Sequence, residues 1–109
     1  VPKITNANEL TQYALKVLRL AGFYVWRQNN GGVFDQKLGR YRANSATKGI
    51  SDIMGFHKRS GIIIACEIKT GKDRLSAEQV DFLAAVEAAG GVALVVRHAD
   101  ELKHLLPQQ

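Results

Sequence analysis

Leu10, Ala14, Val17, Leu18 and Ala21 recur at three- and four-residue intervals. Wound as a helix, the first segment therefore carries one apolar face. The helix is expected to begin after Thr5 or Asn6 and to end at Gly22, a natural residue for the left-handed C′ position. Phe23-Tyr24-Val25-Trp26 is rich in aromatic and β-branched types and predicts a strand. Residues 28–48 lose this regularity. Asn29-Asn30-Gly31-Gly32 and Gly39 break them, so they read as a loop or loose hairpin. Residues 50–56 and 62–69 predict two more strands around the turn His57-Lys58-Arg59-Ser60-Gly61. So short a connection implies an antiparallel hairpin. Ser76 is a natural N-cap for a helix over 77–89, with Val80, Leu83, Ala84 and Val86 apolar and Gly90-Gly91 as its stop. Val92-Ala93-Leu94-Val95-Val96 is a continuous apolar run, as expected of a strand buried on both faces. The strand–helix–strand order over 62–96 predicts a right-handed parallel crossover. Residues 98–106 predict a short closing helix. The fold class is α/β, with a mixed central sheet flanked by helices.

The hairpin juxtaposes charged residues. Along a strand, residues i and i+2 share a face, so Glu67 and Lys69 lie together while Cys66 and Ile68 face the other way. Pairing of the two hairpin strands brings Asp52 toward Glu67. Two carboxylates form an oxygen site for a hard divalent cation, and a lysine beside them can touch a phosphate or a nucleophilic water. The competing reading is a carboxylate pair held in salt bridges with Lys69 and nearby bases. An acid among apolar strand residues is costly without a partner.

Composition narrows the partners. The 109 residues fit one domain, 1–109, and the net charge of +5 favours a polyanion such as nucleic acid. Arg27, Lys37, Arg40, Arg42 and Lys48 gather in and beside the glycine-rich segment, interleaved with Phe34 and Tyr41. A basic segment with aromatics is a nucleic-acid contact in one reading and a solvated loop in the other. The single cysteine, Cys66, excludes an internal disulfide, and its expected place is the core, not catalysis. His57, His98 and His104 have no metal spacing, which argues against zinc. Trp26 is expected in the core or an interface more than as a base-stacking platform. Gly71-Lys72 lacks the glycine spacing of a phosphate loop. With no apolar run near membrane length and no leader pattern, the expected location is the cytosol.

The ordered set Glu9, Val25-Trp26-Arg27-Gln28-Asn29, Gly49-Ile50-Ser51-Asp52-Ile53, Glu67-Ile68-Lys69, Leu75-Ser76-Ala77-Glu78-Gln79 and Ala89-Gly90-Gly91-Val92-Ala93 resembles a VRR-NUC (virus-type replication-repair nuclease) domain of the PD-(D/E)xK superfamily. One departure is Ser51, which stands where the superfamily name has proline. The resemblance covers nearly the whole chain and implies a restriction-endonuclease-like fold. It implies a DNA endonuclease using Mg²⁺ or Mn²⁺, with Asp52, Glu67 and the Ile68 carbonyl as metal ligands. Lys69 would meet the scissile phosphate or water, Gln79 would orient Lys69 or water, and Glu9 would lie near the ion. Arg27, Asn29, Lys37, Arg40, Arg42 and Lys48 are the expected DNA contacts. Gln79 and Glu9 also fit helix caps, through Ser76-x-x-Gln79 and Asn6-x-x-Glu9. Stand-alone members resemble phage nucleases, placing the protein in the host cytosol if phage-encoded. The family includes homodimers that cut branched DNA, especially four-way junctions. The alternatives are a nuclease of flap, single-stranded or linear duplex DNA, and a non-catalytic DNA-binding module of the same fold.

Overall fold

A computed structural model describes residues 3–28, 33–42 and 47–107. The chain runs α1 (Ala7–Leu20), β1 (Phe23–Arg27), β2 (Val33–Asp35), β3 (Arg40–Arg42), β4 (Ile53–His57), β5 (Ile63–Ile68), α2 (Ala77–Ala88), β6 (Val92–Val96) and a 3-10 helix (Ala99–Leu105). The Asn6 side chain caps α1 by accepting from the Glu9 N–H, and Gly22 follows the helix at φ +98°. This start and stop match the sequence reading.

Four strands form one mixed sheet in the order β1-β4-β5-β6. β1–β4 and β4–β5 are antiparallel, and β5–β6 is parallel across the α2 crossover. β2 and β3 form a separate antiparallel hairpin within the segment read as a loop or loose hairpin.

The sheet has two unequal faces. On one, Val25, Ile53, Ile64, Cys66, Ile68 and Val96 pack under α1 and the 3-10 helix, against Leu10, Ala14, Val17, Leu18 and Leu102. This is the main core. On the other, α2 lays Leu83 and Val86 over Met54 and Ala65. Cross-strand partners share a face, which sorts this second face into rows. Tyr24, Phe56 and Ile63 make one row, and Trp26, Met54, Ala65 and Ala93 make the next. α2 covers only part of it: Tyr24, Trp26, Phe56 and Ile63 remain exposed.

Several expectations need correcting. β4 begins at Ile53, so Asp52 precedes the strand, and Lys69 lies just past the end of β5. The run 92–96 is not buried on both faces. It is an edge strand, with only Val96 buried and Val95 exposed. Val80 and Ala84 face outward, because a three-turn helix lying across a sheet touches it along a narrow stripe. Trp26, expected in the core or an interface, is 42% exposed and so does not take the core place. The closing helix is 3-10, and its start is tied by the Glu101 carboxylate, which accepts from the Arg97 and His98 N–H groups. Burial alone would raise the Glu101 pKa, but these two donors outweigh it and hold it low.

At Gly55, β4 leaves no room for a side chain against β1. A Cβ there would collide with the Tyr24 carbonyl oxygen. Gly55→Ala is expected to cost about 1–3 kcal/mol through overpacking, read as a lower urea midpoint at unchanged slope.

Candidate active site

The site forms at the end of the sheet where β1, β5 and β6 finish and β4 begins. The backbone is closed here by hydrogen bonds beyond the strands. The Gln28 N–H donates to the Asp52 carbonyl (2.7 Å), and the Lys69 N–H donates to the Val96 carbonyl (3.0 Å). Asp52 is thereby held at the mouth of β4. Its Oδ2 accepts from the Ile68 N–H at 2.8 Å, which fixes one carboxylate against the backbone of the Glu-x-Lys segment.

Glu67 is only 1% exposed, an unusual position for a glutamate. Its Oε1 accepts from Gln79 Nε2 at 3.1 Å. Its Oε2 is buried without a hydrogen-bond partner, and so is the hydroxyl of fully buried Ser51. Burial, and then the neighbouring Asp52 carboxyl, push the Glu67 pKa up to about 8. The Lys69 ammonium and the Ser51 hydroxyl act in the other direction. Ser51 thus lies near the Glu67 carboxyl but outside ordinary hydrogen-bond geometry. Cys66 points into the main core, as expected. Burial first, then Asp52 and Glu67, push its thiol up to about 12, so it remains neutral.

Gln79 forms the cap that one reading gave it, and its contact in the site is the Glu67 carboxyl rather than Lys69. Its Oε1 accepts from the Ser76 N–H (2.8 Å) while its own N–H donates to Ser76 Oγ (3.1 Å), a capping box at the start of α2. With Oε1 committed to the cap, Nε2 is turned to Glu67. Gly49 sets the distance. Its φ is +79°, and a Cβ would run into the Glu78 carbonyl. The segment entering Asp52 therefore lies directly on the first turn of α2.

The structure brings together Asp52, Glu67, the Ile68 backbone and Gln79, with Lys69 close enough to act on Glu67. Glu9 stands on the exposed first turn of α1. Among the described residues no three His, Cys, Asp or Glu side chains form a metal-binding group, so Glu9 does not complete one with Asp52 and Glu67. The Asn6 cap on the Glu9 N–H supports the structural role of this turn. Arg27 is exposed at the end of β1, where its Nη1 donates to Asn8 Oδ1 at 2.6 Å, tying β1 to α1. Lys37 lies exposed in the β2–β3 turn, and Lys48 is exposed beside Gly49. Arg40 and Arg42 are on β3, but their side chains, like Asn29 as a whole, lie outside the described residues. Residue-type reasoning did not single out Ser51 or Gly49 as parts of the site. The signals were present: a serine in the place of a proline, and a glycine three residues before the acid.

The donor set fits a hard divalent cation. Two carboxylates meet, and one has a buried oxygen with no hydrogen-bond partner. Mg²⁺ in particular is commonly held by one or two carboxylates, keeping several waters.

This architecture is an α/β fold of the restriction-endonuclease-like kind, a mixed four-stranded sheet flanked by helices. Among solved structures, the chain is similar to one described as a VRR_NUC domain, at TM-score 0.61 and 18% identity, over 94% of this chain and 95% of that one. It is also similar to Hjc of Archaeoglobus fulgidus, a Holliday junction resolvase from an archaeal hyperthermophile. That match has TM-score 0.55 and 24% identity, over 94% of this chain and 70% of the other. At such identities the likeness is one of fold. No protein-family profile matches the sequence. No curated protein matches it either.

Two predictions follow from the buried carboxyl and its support. Because the Glu67 pKa is raised on folding, the metal-free protein binds an extra proton between about pH 4.5 and 8. The associated stability is present below the unfolded value and is lost as pH rises through about 8. With chelator present, the thermal midpoint of the wild type should fall across this window relative to Glu67→Gln, by the equivalent of a few kcal/mol at most, roughly. Gly49→Ala should lower stability by about 2 kcal/mol or more through left-handed strain and collision. It should also withdraw Gln79 from Glu67 and weaken Mg²⁺ binding in calorimetry.

Proposed function

We propose that residues 1–109 form one VRR-NUC-like nuclease domain that hydrolyses DNA phosphodiesters with Mg²⁺ or Mn²⁺, and that its substrate is branched DNA, four-way junctions in particular. The observation that carries this reading is the Glu67 carboxyl, buried at the sheet end beside Asp52 with one oxygen lacking a hydrogen-bond partner. A purely structural glutamate in that place is a liability. A glutamate awaiting a cation is not, because the ion supplies the charge that offsets its desolvation.

Each residue then has a task. The Asp52 and Glu67 carboxylates and the Ile68 carbonyl hold the ion. When bound, the cation supplies Lewis acidity at the phosphate. Lys69 meets the non-bridging oxygens of the scissile phosphate and offsets the charge that grows there as water attacks. Gln79 keeps the Glu67 carboxyl in place, and Glu9 acts from α1 through water. Arg27, Asn29, Lys37, Arg40, Arg42 and Lys48 grip the DNA backbone, in keeping with the net charge of +5. Two copies of the chain are needed for symmetric cutting of a four-way junction, so the working form in this reading is a homodimer. It would act in the cytosol, or in the host cytosol for a phage protein. No helix among the described residues is long and apolar enough to cross a membrane.

The test is cleavage of a labelled four-way junction against linear duplex of the same arms, at one salt concentration, with Mg²⁺, Mn²⁺ or chelator. Metal-dependent cutting of the junction is expected. Lys69→Ala should reduce its rate by about 10²-fold or more. Binding of junctions without cutting under either metal would instead leave a DNA-binding module.

A further inference from the structure

The active-site face of the sheet carries an aromatic surface that the roles above do not use. Trp26 lies on this face, in the row next to the site. Its partner across the sheet is Met54, and two residues further along each strand the Gln28 N–H meets the Asp52 carbonyl. At the rise of a strand, Trp26 is thus about 7 Å from that bridge along β1. The ring is also held in place. Its indole N–H donates to Gln28 Oε1 at 3.2 Å, so the residue whose backbone anchors Asp52 also orients the tryptophan. Behind it, Tyr24 contacts Trp26 edge-on at 6.4 Å and stacks on Phe56 at 5.3 Å. A supported ring that is still 42% exposed offers a rigid π-face.

Charge favours one occupant. Trp26 and Tyr24 line a groove of about 480 Å³ along β1, together with Arg19, Phe23, Val25 and Lys58. Two of these six residues are cations and none is acidic. Arg19 Nη2 donates to the outward Val25 carbonyl, fixing the guanidinium beside the strand edge. In a symmetric contact between two copies, these cations would find no acid among the groove residues. Aromatic rings flanked by cations fit a nucleic-acid strand, with a base on the ring and phosphates on the cations.

We propose that Trp26 is a specificity-determining residue that stacks on an unpaired or unstacked base next to the phosphate to be cut. The inference rests on the DNA-cleavage reading of the Asp52–Glu67 site. It deepens that reading by supplying a means of distinguishing branched or single-stranded DNA, whose bases can be splayed, from duplex, whose bases are stacked.

Trp26 is the only tryptophan in the chain, so its emission reports on this position alone. The wild-type protein, kept from cutting by chelator, is titrated with a four-way junction, a single strand and a linear duplex. Binding is followed in parallel by anisotropy of labelled DNA. Junction and single strand are expected to quench the indole emission, and duplex to leave it largely unchanged. Trp26→Leu should weaken junction binding about tenfold or more and duplex binding less than about twofold, while Trp26→Phe keeps most of the affinity. Junction binding with unchanged emission and unchanged Trp26→Leu affinity overturns the proposal and leaves the nuclease reading intact. An emission shift with protein concentration in the absence of DNA overturns it in favour of a second copy on this face. Failure to bind any DNA overturns the nuclease reading beneath it.

Discussion

The burial of one carboxyl group organises this molecule. Glu67 sits at the end of β5 with almost no solvent contact, and nothing in the main core can compensate a charge there. The protein responds by bringing polar groups to it from three directions. Asp52 comes from the mouth of β4, Gln79 from the first turn of α2, and Lys69 from just past the end of β5. Each arrival is fixed by backbone geometry. Asp52 is held by the Ile68 N–H, Gln79 by the cap it forms with Ser76, and the approach of the two segments by the missing side chain at Gly49. Remove any of these and the carboxyl loses either its neighbour or its orientation. Even together they leave Glu67 Oε2 without a hydrogen-bond partner.

The same residues therefore carry stability and chemistry in opposite proportions. The α2 cap is favourable, as capping boxes are. The ionised pair it helps to hold is not, because two carboxylates share a buried place and one of them is driven toward its protonated form. A sequence optimised only for folding would put an amide or an apolar side chain at 67. The helix cap thus anchors a strained site to a stable element, and Gln79 belongs to both at once. Its amide has two ends, one spent on the helix and one on the carboxyl.

Much of this was legible in the chain. Alternation along 62–69 put Glu67 and Lys69 on one face and Cys66 on the other. The short turn at 57–61 gave the antiparallel pairing that brings Asp52 across. Helix ends were readable from Asn6, Gly22 and Ser76, because caps are local chemistry. What escaped was the part set by neighbours far along the chain. An apolar run such as 92–96 looks the same whether its strand is central or at an edge. It became an edge because nothing pairs beyond β6 among the described residues. Likewise Val80 and Ala84 are apolar positions of the helix like Leu83 and Val86, but α2 touches the sheet along a stripe that does not include them. Gly49 stood out only as the first residue of the motif around Asp52. Its necessity comes from a helix that begins nearly thirty residues later.

Trp26 is the sharpest case of this limit. Its type and its setting in Phe23-Tyr24-Val25-Trp26 favour burial, and strand alternation does give it a sheet face. Whether that face is covered depends on how far α2 extends across it. α2 reaches Met54, Ala65 and Ala93 but stops short of β1. The uncovered strip is therefore no random leakage of apolar surface. It comprises the row of Tyr24, Phe56 and Ile63 and, one row nearer the site, Trp26, beside the residue that anchors Asp52. α2 lies along β5 and β6 and leaves an aromatic floor over β1 and β4 that leads up to the carboxylates. A stiff sheet, rather than a loop, fixes the angle between that floor and the two carboxylates.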